Sequence, residues 1–126
     1  MNKAVYDTRF FAESYYSKDK AALERIRSHR ALKRYVSAVV IHEVYQLAIS
    51  REGREVASLK VANLLGTFEV VAVDNQIAQI SAALRHKYQL SMGDSMIAAT
   101  ALMLKAVCIS DDPHFKQIKE IETDWI

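Results

Sequence analysis

The chain has 126 residues, 51% of them hydrophobic and 25% charged, with a formal net charge of +2. This length and composition predict one globular domain, residues 1–126, with enough apolar side chains for a single core. Three glycines, one proline and one cysteine exclude a long flexible linker, an internal disulfide and a CxxC metal site. No apolar stretch reaches the roughly 18 residues of a membrane span, and the first residues lack the pattern of a secretory signal. We therefore expect a cytoplasmic protein that does not associate with membranes.

Short runs of β-branched and aromatic residues alternate with helical patterns along the chain. The predicted strands are residues 3–7, 34–37, 68–73, 106–110 and a weak one at 120–123. The predicted helices are residues 10–16, 20–30, 38–50, 54–65, 75–88 and 94–105. Ser37, Asp74 and Asp94 are predicted N-caps, and Gly66 is a predicted helix stop. This alternation predicts an α/β fold in which helices cover both faces of a parallel sheet.

Acidic residues follow two of the strands and lie on two very apolar helices. Asp7 ends the first strand, and Asp111 and Asp112 follow the fourth. The carboxyl ends of parallel strands lie at one edge of the sheet, where ligands of open α/β sheets bind. Glu43 and Asp94 lie early in helices that are apolar on nearly every side. We therefore expect four acids from distant parts of the sequence to converge in one cleft.

Most of these acids also have a purely structural interpretation. Asp94, taken alone, is most simply a helix cap. Asp111 and Asp112, which precede Pro113, suit a turn or a cap, because proline is well accepted at the first helical position. Asp7 at a strand end would cap the helix that follows. None of these residues, considered singly, requires a catalytic role.

Glu43 is harder to explain by structure alone. Its neighbours one helical turn away carry no positive charge; they are Val39, Val40, Gln46 and Leu47. Burying an unpaired carboxylate is strongly unfavourable, so Glu43 needs either a partner from elsewhere, such as Arg9, or a bound cation. Several carboxylates in one cleft repel one another unless a cation neutralises them, and oxygen ligands suit Mg²⁺ or Mn²⁺. Such a site supplies what phosphodiester cleavage needs.

Four segments recur in the order and spacing of a known family: VYDTRF (5–10), VSAVVIHEV (36–44), GDSMIAATA (93–101) and CISDDPHF (108–115). Together they resemble the PIN-domain nucleases, specifically the small VapC-type toxins of toxin–antitoxin pairs. The resemblance implies a three-layer α/β/α domain whose parallel sheet has the strand order 3-2-1-4-5. It also implies an endoribonuclease that hydrolyses RNA phosphodiesters with Mg²⁺ or Mn²⁺ and an activated water.

The same resemblance assigns the acids their roles. Asp7, Glu43, Asp94 and Asp112 would be the catalytic and metal-binding residues, with Glu43 acting directly or through a water. Asp111 is the alternate for Asp112, although the family's last acid usually stands three residues before a phenylalanine, which favours Asp112.

One departure from the family concerns the residue two positions after the first acid, which is commonly a small hydroxyl residue and here is Arg9. Thr8 would take the place of that hydroxyl, or Arg9 would hold a substrate phosphate. His114 follows the last acid closely enough to touch substrate.

The segment RIRSHRALKR (25–34) is basic and holds no acid. Such a run is usually a solvated helix face followed by a loop. The alternative is a path for the RNA backbone, with Arg30 and Arg34 as substrate-binding residues and with Arg51 and Arg54 flanking it.

Four early aromatic residues, Phe10, Phe11, Tyr15 and Tyr16, exceed what one short helix buries easily. Core packing is the default interpretation for some of them, and the remainder indicates a partner surface. Tyr15 and Tyr16, with Leu23, are expected to line a groove for an amphipathic helix. The resemblance implies that an antitoxin occupies this groove and that the toxin forms a homodimer.

Two other functions fit parts of the sequence. A catalytically silent PIN-type scaffold would bind a partner without cleaving RNA. A Mg²⁺-binding receiver-like module would use Asp74 as its phosphorylated residue, but it leaves Glu43 and Asp94 unexplained.

Overall fold

The computed structural model describes residues 2–31 and 33–126. Its strands are β1 (Lys3–Tyr6), β2 (Lys33–Ser37), β3 (Glu69–Val71), β4 (Val107–Ile109) and β5 (Thr123–Asp124). Its helices are α1 (Thr8–Tyr16), α2 (Lys20–Ser28), α3 (Ala38–Glu52), α4 (Arg54–Thr67), α5 (Asn75–Tyr88), α6 (Met92–Leu104) and α7 (Pro113–Lys116). No helix in these ranges is long and apolar enough to cross a membrane.

The sheet has the order β3-β2-β1-β4-β5, and every neighbouring pair is parallel. The predicted order 3-2-1-4-5 is therefore confirmed. A receiver-like module would follow the order 2-1-3-4-5 instead, so that alternative is wrong. In the register, Val5 of the central strand faces Tyr35 on one side and Cys108 on the other. The carboxyl ends of β1, β2 and β4 consequently lie side by side.

The core lies between this sheet and its helices, which make three α/β/α layers. Helix α6 contacts β1, β2 and β4, and its residues Ile97–Ala101 are all buried. Aromatic side chains are part of the same core: the Tyr6 ring lies 4.7 Å from the Phe10 ring and 5.1 Å from the Phe68 ring. The acids therefore stand at the edge of a sheet that apolar packing holds rigid on both faces.

Two predicted N-caps are confirmed. The Ser37 hydroxyl accepts a hydrogen bond from the Val39 amide at 3.2 Å, at the start of α3. The Asp74 carboxylate accepts one from the Ile77 amide at 2.8 Å, at the start of α5. Because its carboxylate serves this cap, Asp74 has a structural role, as the sequence predicted.

The prediction that Asp94 caps its helix is wrong. Helix α6 begins two residues earlier than predicted, and its N-cap is Ser91, whose hydroxyl accepts a hydrogen bond from the Asp94 amide at 3.2 Å. Asp94 is the third helical residue, where a negative charge is stabilised by the helix dipole. Ser91, and not Asp94, is therefore the N-cap of α6.

Other bounds also differ from the prediction. Helix α1 begins at Thr8 rather than at residue 10, and α4 continues through Gly66 to Thr67. The last strand is Thr123–Asp124 rather than 120–123, and the short helix α7 was not predicted. Proline at its first position and Asp112 as its N-cap explain why α7 forms.

Candidate active site

Asp7 is buried where the central strand ends. Its amide donates a hydrogen bond to the Ile109 carbonyl at 3.1 Å, and its Oδ2 accepts one from the Ser110 hydroxyl at 2.6 Å. Burial, assisted by the negative charges of Asp94 and Glu43, raises the pKa of Asp7 to about 6, against the opposing effect of the Ser110 hydrogen bond. Asp7 is thus a fixed carboxylate whose ionised form is disfavoured mainly by burial and further by the neighbouring acids.

Glu43 is connected to two other segments of the site. Its Oε1 accepts a 2.6 Å hydrogen bond from Oγ1 of Thr8, the residue that directly follows Asp7 in the sequence. Its Oε2 lies so close to Gly93 that a Cβ on that residue would be 2.9 Å away. Since Gly93 precedes Asp94, α3 delivers the Glu43 carboxylate to a point between the first turns of α1 and α6.

Asp94 and Asp112 face each other with His114 beside them. One potential ligand atom from each of the three lies within 4.8 Å of the others. Burial raises the pKa of Asp94, and the charges of Asp112 and Glu43 add to the effect. Asp112 Oδ1 accepts a hydrogen bond from the His114 amide at 2.9 Å. The four acids proposed from the sequence therefore lie close enough to influence one another.

Arg9 pairs with Asp111, so it is not the structural partner that was considered for Glu43 as the alternative to a bound cation. Its Nε is 2.5 Å from Asp111 Oδ1 and its Nη2 is 3.2 Å from Asp111 Oδ2. Arg9 Nη2 is also 3.7 Å from Glu13. Because two hydrogen bonds occupy the Asp111 carboxylate, Asp112 is the better candidate for the fourth acid.

Sequence reasoning missed two residues that hold the site together. The Ser110 hydroxyl donates to Asp7 and accepts a hydrogen bond from the Asp112 amide at 3.0 Å, so one buried side chain links two acids. Its position between β4 and the acidic pair was the available signal. Gly93 was visible in the motif, but nothing in the sequence indicated that Glu43 would fill the space beside it.

The predicted substrate-binding residues Arg30 and Arg34 make other contacts. Arg30 Nη1 donates to the carbonyls of Arg27 and His29 at 2.5 and 2.7 Å. The Arg34 guanidinium lies 5.0 Å from the centre of the Phe68 ring. Arg34 is also the second residue of β2, three residues before the carboxyl end that faces the acids. The structure does not bring these arginines to the acidic site, and their predicted contact with RNA remains untested.

The predicted partner surface is partly occupied by neighbouring cations. The Lys60 ammonium lies 4.6 Å from the Tyr15 ring centre and 4.4 Å from that of Tyr16, and the Arg51 guanidinium is 5.0 Å from the Tyr16 ring. A cavity of about 210 Å³ lies between α1 and α3, lined by Tyr16, Arg51 and neighbours. Leu23 on α2 is half-buried.

The donor set fits a divalent cation. Four carboxylates supply hard oxygen ligands, and burial, with a smaller effect of the neighbouring acids, raises the pKa values of Asp7 and Asp94. The missing side chain at Gly93 lets the Glu43 carboxylate approach the first turn of α6. Asp94 and Asp112, with Asp7 and Glu43 around them, are the residues that would hold the ion.

The family model of the PIN domain matches residues 4–121. Among solved structures, the chain is similar to a toxin–antitoxin complex from Klebsiella pneumoniae, with 23% identity and a TM-score of 0.74 over 94% of each chain. DNA-bound VapBC from Salmonella typhimurium is 21% identical, with a TM-score of 0.78 over 99% of this chain and 98% of that one.

VapC20 from Mycobacterium tuberculosis, described as a toxin that cleaves the sarcin–ricin loop, is 20% identical, with a TM-score of 0.76 over 94% of this chain and 98% of that one. Comparison with curated proteins finds no match. Similarity at these identities demonstrates a common fold, whereas the family match runs from the first strand to the residues just before the last one. On that match, and with the fold to support it, this protein belongs to the PIN domain family.

Proposed function

We propose that this protein is a divalent-metal-dependent endoribonuclease and the toxin of a type II toxin–antitoxin pair. The observation that carries the proposal is the convergence of Asp7, Glu43, Asp94 and Asp112 from four separate segments. Ionised carboxylates so close together are strongly disfavoured unless a bound cation neutralises them. Membership of the PIN family gives such a cation site a function. The similar fold of VapC20, described as an RNA-cleaving toxin, supports the choice of RNA as substrate.

The residues divide the chemical work between them. Asp94 and Asp112 would bind Mg²⁺ or Mn²⁺ directly, with Asp7 beside them and Glu43 acting directly or through a water. A bound ion of this kind lowers the pKa of a water and neutralises charge on the phosphate. Thr8 holds the Glu43 carboxylate by its hydrogen bond, and Ser110 holds Asp7. No side-chain nucleophile is required, because water attacks the phosphorus and the ribose oxygen leaves.

Arg9 adds a feature of its own. Its ion pair with Asp111 fastens the start of α1 to the loop that carries Asp112. Its guanidinium is about half exposed, so it stands at the rim where an RNA phosphate would approach. Thr8, which contacts Glu43, takes the place of the usual hydroxyl residue. We assign Arg9 a role in binding substrate phosphate, secondary to its contact with Asp111.

The partner would be a small antitoxin whose amphipathic helix packs near Tyr15, Tyr16 and Leu23. The cavity beside Tyr16 supports this assignment, as do the toxin–antitoxin complexes among proteins of similar fold. A homodimer is part of the same proposal, and light scattering of the purified chain tests it. The cytoplasm, where RNA and antitoxin are available, is the location that we propose.

The experiment uses the purified full-length chain without partner, incubated with total RNA. We expect endonucleolytic cleavage with Mg²⁺ or Mn²⁺, none with EDTA, and recovery when either ion is restored. Asp94→Asn should abolish cleavage. Asp74→Asn is the matched control, because the same chemical change falls at a helix cap where asparagine serves equally well. Intact RNA under every metal condition, from a folded protein, would support the silent-scaffold alternative instead.

A further inference from the structure

His114, which the sequence placed close enough to the last acid to touch substrate, lies against the acidic site. Its Nδ1 is 3.0 Å from Asp112 Oδ1, and one ligand atom of His114 lies within 4.8 Å of ligand atoms of both Asp94 and Asp112. The His114 side chain is 65% exposed, whereas that of Asp112 is 23% exposed. The ring therefore stands at the open side of the site, where an ion from solvent would meet it first.

The backbone that carries this ring is firmly held. Asp112 caps α7, Pro113 occupies its first position, and the Ser110 hydroxyl accepts a hydrogen bond from the Asp112 amide. Phe115, the next residue along the helix, is fully buried. A ligand carried on so constrained a turn loses little further backbone freedom when it binds an ion.

We propose that His114 is a direct ligand of the divalent ion beside Asp94 and Asp112, and that its imidazole makes the site prefer Mn²⁺ to Mg²⁺. This inference rests on the proposed function and specifies the cofactor of the same site. The ligand set would then include the Asp94 and Asp112 carboxylates and one imidazole, with Glu43 acting directly or through a water and other positions open to water and to the substrate phosphate.

The observed spacing fits this arrangement. Around an octahedral ion with bonds of about 2.1 Å, adjacent ligand atoms lie about 3.0 Å apart. The His114 Nδ1 to Asp112 Oδ1 distance of 3.0 Å equals that separation. The same contact also fits a simple hydrogen bond from the ring to the carboxylate, so the test must distinguish a ligand from a partner of a ligand.

The preference for Mn²⁺ follows from the chemistry of the imidazole. Mg²⁺ favours oxygen ligands and releases its waters reluctantly. Imidazole nitrogen binds transition-metal ions more readily, while carboxylates accept either ion. Replacing one oxygen ligand of an all-carboxylate site by nitrogen therefore weakens the binding of Mg²⁺ relative to that of Mn²⁺.

The first readout is spectroscopic and needs no RNA. The full chain is loaded with one equivalent of Mn²⁺ and examined by pulsed electron paramagnetic resonance, with histidine either unlabelled or labelled with ¹⁵N. We expect a nitrogen coupling to Mn²⁺ that changes with the isotope and disappears in His114→Asn. His86→Asn is the matched control: His86 is an exposed histidine on α5, and its replacement should leave the coupling unchanged.

The second readout is affinity, measured by calorimetry with Mn²⁺ and with Mg²⁺. His114→Asn should weaken the binding of Mn²⁺ by about tenfold or more. It should change the binding of Mg²⁺ much less, because the asparagine carbonyl offers an oxygen ligand. Circular dichroism checks that the variant, altered only at an exposed side chain, is folded.

The outcomes separate the two proposals. If Mn²⁺ binds with no nitrogen coupling, and His114→Asn weakens both metals equally, His114 only hydrogen-bonds to Asp112 and the inference is wrong, while the nuclease proposal stands. If neither ion binds to the folded chain and RNA stays intact, both proposals fail together. Cleavage of RNA with a coupling lost in His114→Asn supports both.

Discussion

The Thr8 hydroxyl donates a 2.6 Å hydrogen bond to Glu43 across 35 positions of sequence. This contact joins the residue after Asp7 to the acid on α3, so the first strand and the third helix position their carboxylates together. It also supports the proposal that Thr8 takes the place of the small hydroxyl residue expected where Arg9 stands.

Thr8→Val should therefore impair the site without unfolding the protein. Valine keeps the shape of threonine but cannot donate, so the Glu43 carboxylate loses its fixed orientation. We expect RNA cleavage to fall by about 10- to 100-fold, the usual effect of losing a group that orients a metal ligand. Because one hydrogen bond contributes about 1 kcal/mol, the melting temperature should change little. Thr8→Ser, which restores the donor, should recover most activity; failure to do so would contradict the assigned role.

Gly93→Ala should inactivate the protein while leaving the fold intact. The added Cβ would lie 2.9 Å from Glu43 Oε2 and push that carboxylate away from Asp94. Alanine favours helix over glycine by about 1 kcal/mol, so thermal stability should be unchanged or slightly higher. Cleavage assays and melting curves on the same preparation measure both effects.

Gly66→Ala is the control for that substitution. Gly66 also lies within a helix, α4, and a Cβ there would meet nothing within 4 Å. We expect it to gain stability and keep full activity. Equal activity in the two alanine variants would show that the space beside Glu43 has no functional role.

Asp7→Asn should abolish cleavage. In EDTA, which removes divalent ions, the same substitution should stabilise the protein. The pKa of Asp7 is raised from 3.8 to about 6 in the folded chain, so folding favours the protonated form. Stability from this group is present below pH 4 and is lost as pH rises through about 6. Above that pH, the contribution of Asp7 to the free energy of unfolding that has been lost amounts to about 3 kcal/mol, at 1.36 kcal/mol per pKa unit.

The measurement for Asp7 is denaturant unfolding in EDTA at pH 5 and pH 8. We expect the free energy of unfolding of the Asp7→Asn variant to exceed that of the parent by more at pH 8 than at pH 5. Adding Mg²⁺ or Mn²⁺ should reduce this difference in stability. Asp19→Asn, the same chemical change at the exposed cap of α2 and outside the acidic site, is the control. An Asp7→Asn variant that is less stable than the parent at pH 8 would contradict this account.

His29 should make stability depend on pH from a region outside the site. Its Nε2 lies 2.8 Å from the Tyr6 hydroxyl, and burial, reinforced by Arg30 and Arg34, lowers its pKa. The folded chain therefore binds fewer protons than the unfolded chain. The contribution is present above the ordinary pKa of about 6.5 and is lost as pH falls through the lower folded value.

Denaturant unfolding between pH 5 and pH 7.5 measures this effect. His29→Gln removes the titrating group, and we expect a flatter dependence of the unfolding free energy on pH than in the parent. His42→Gln, the same chemical change on an exposed face of α3, is the matched control. Parallel curves for the parent and His29→Gln would refute the assignment.

The sequence by itself determined the architecture and the candidate acids. Alternation of strand and helix patterns is a local property, and parallel strands must present their carboxyl ends at one edge. Asp7 and Asp112 could therefore be placed at a common edge before any coordinates existed. Glu43 stood out because nothing near it in sequence balances its charge.

Only the tertiary structure decided how the acids are held. Arg9 pairs with Asp111, 102 positions away, and Ser110 reaches Asp7 across 103 positions. Ser91, and not Asp94, is the N-cap of α6. Which residue caps the helix depends on where α6 begins when it packs against the sheet. Such contacts arise from the packing of distant segments, and no local pattern encodes which of several suitable partners will be nearest.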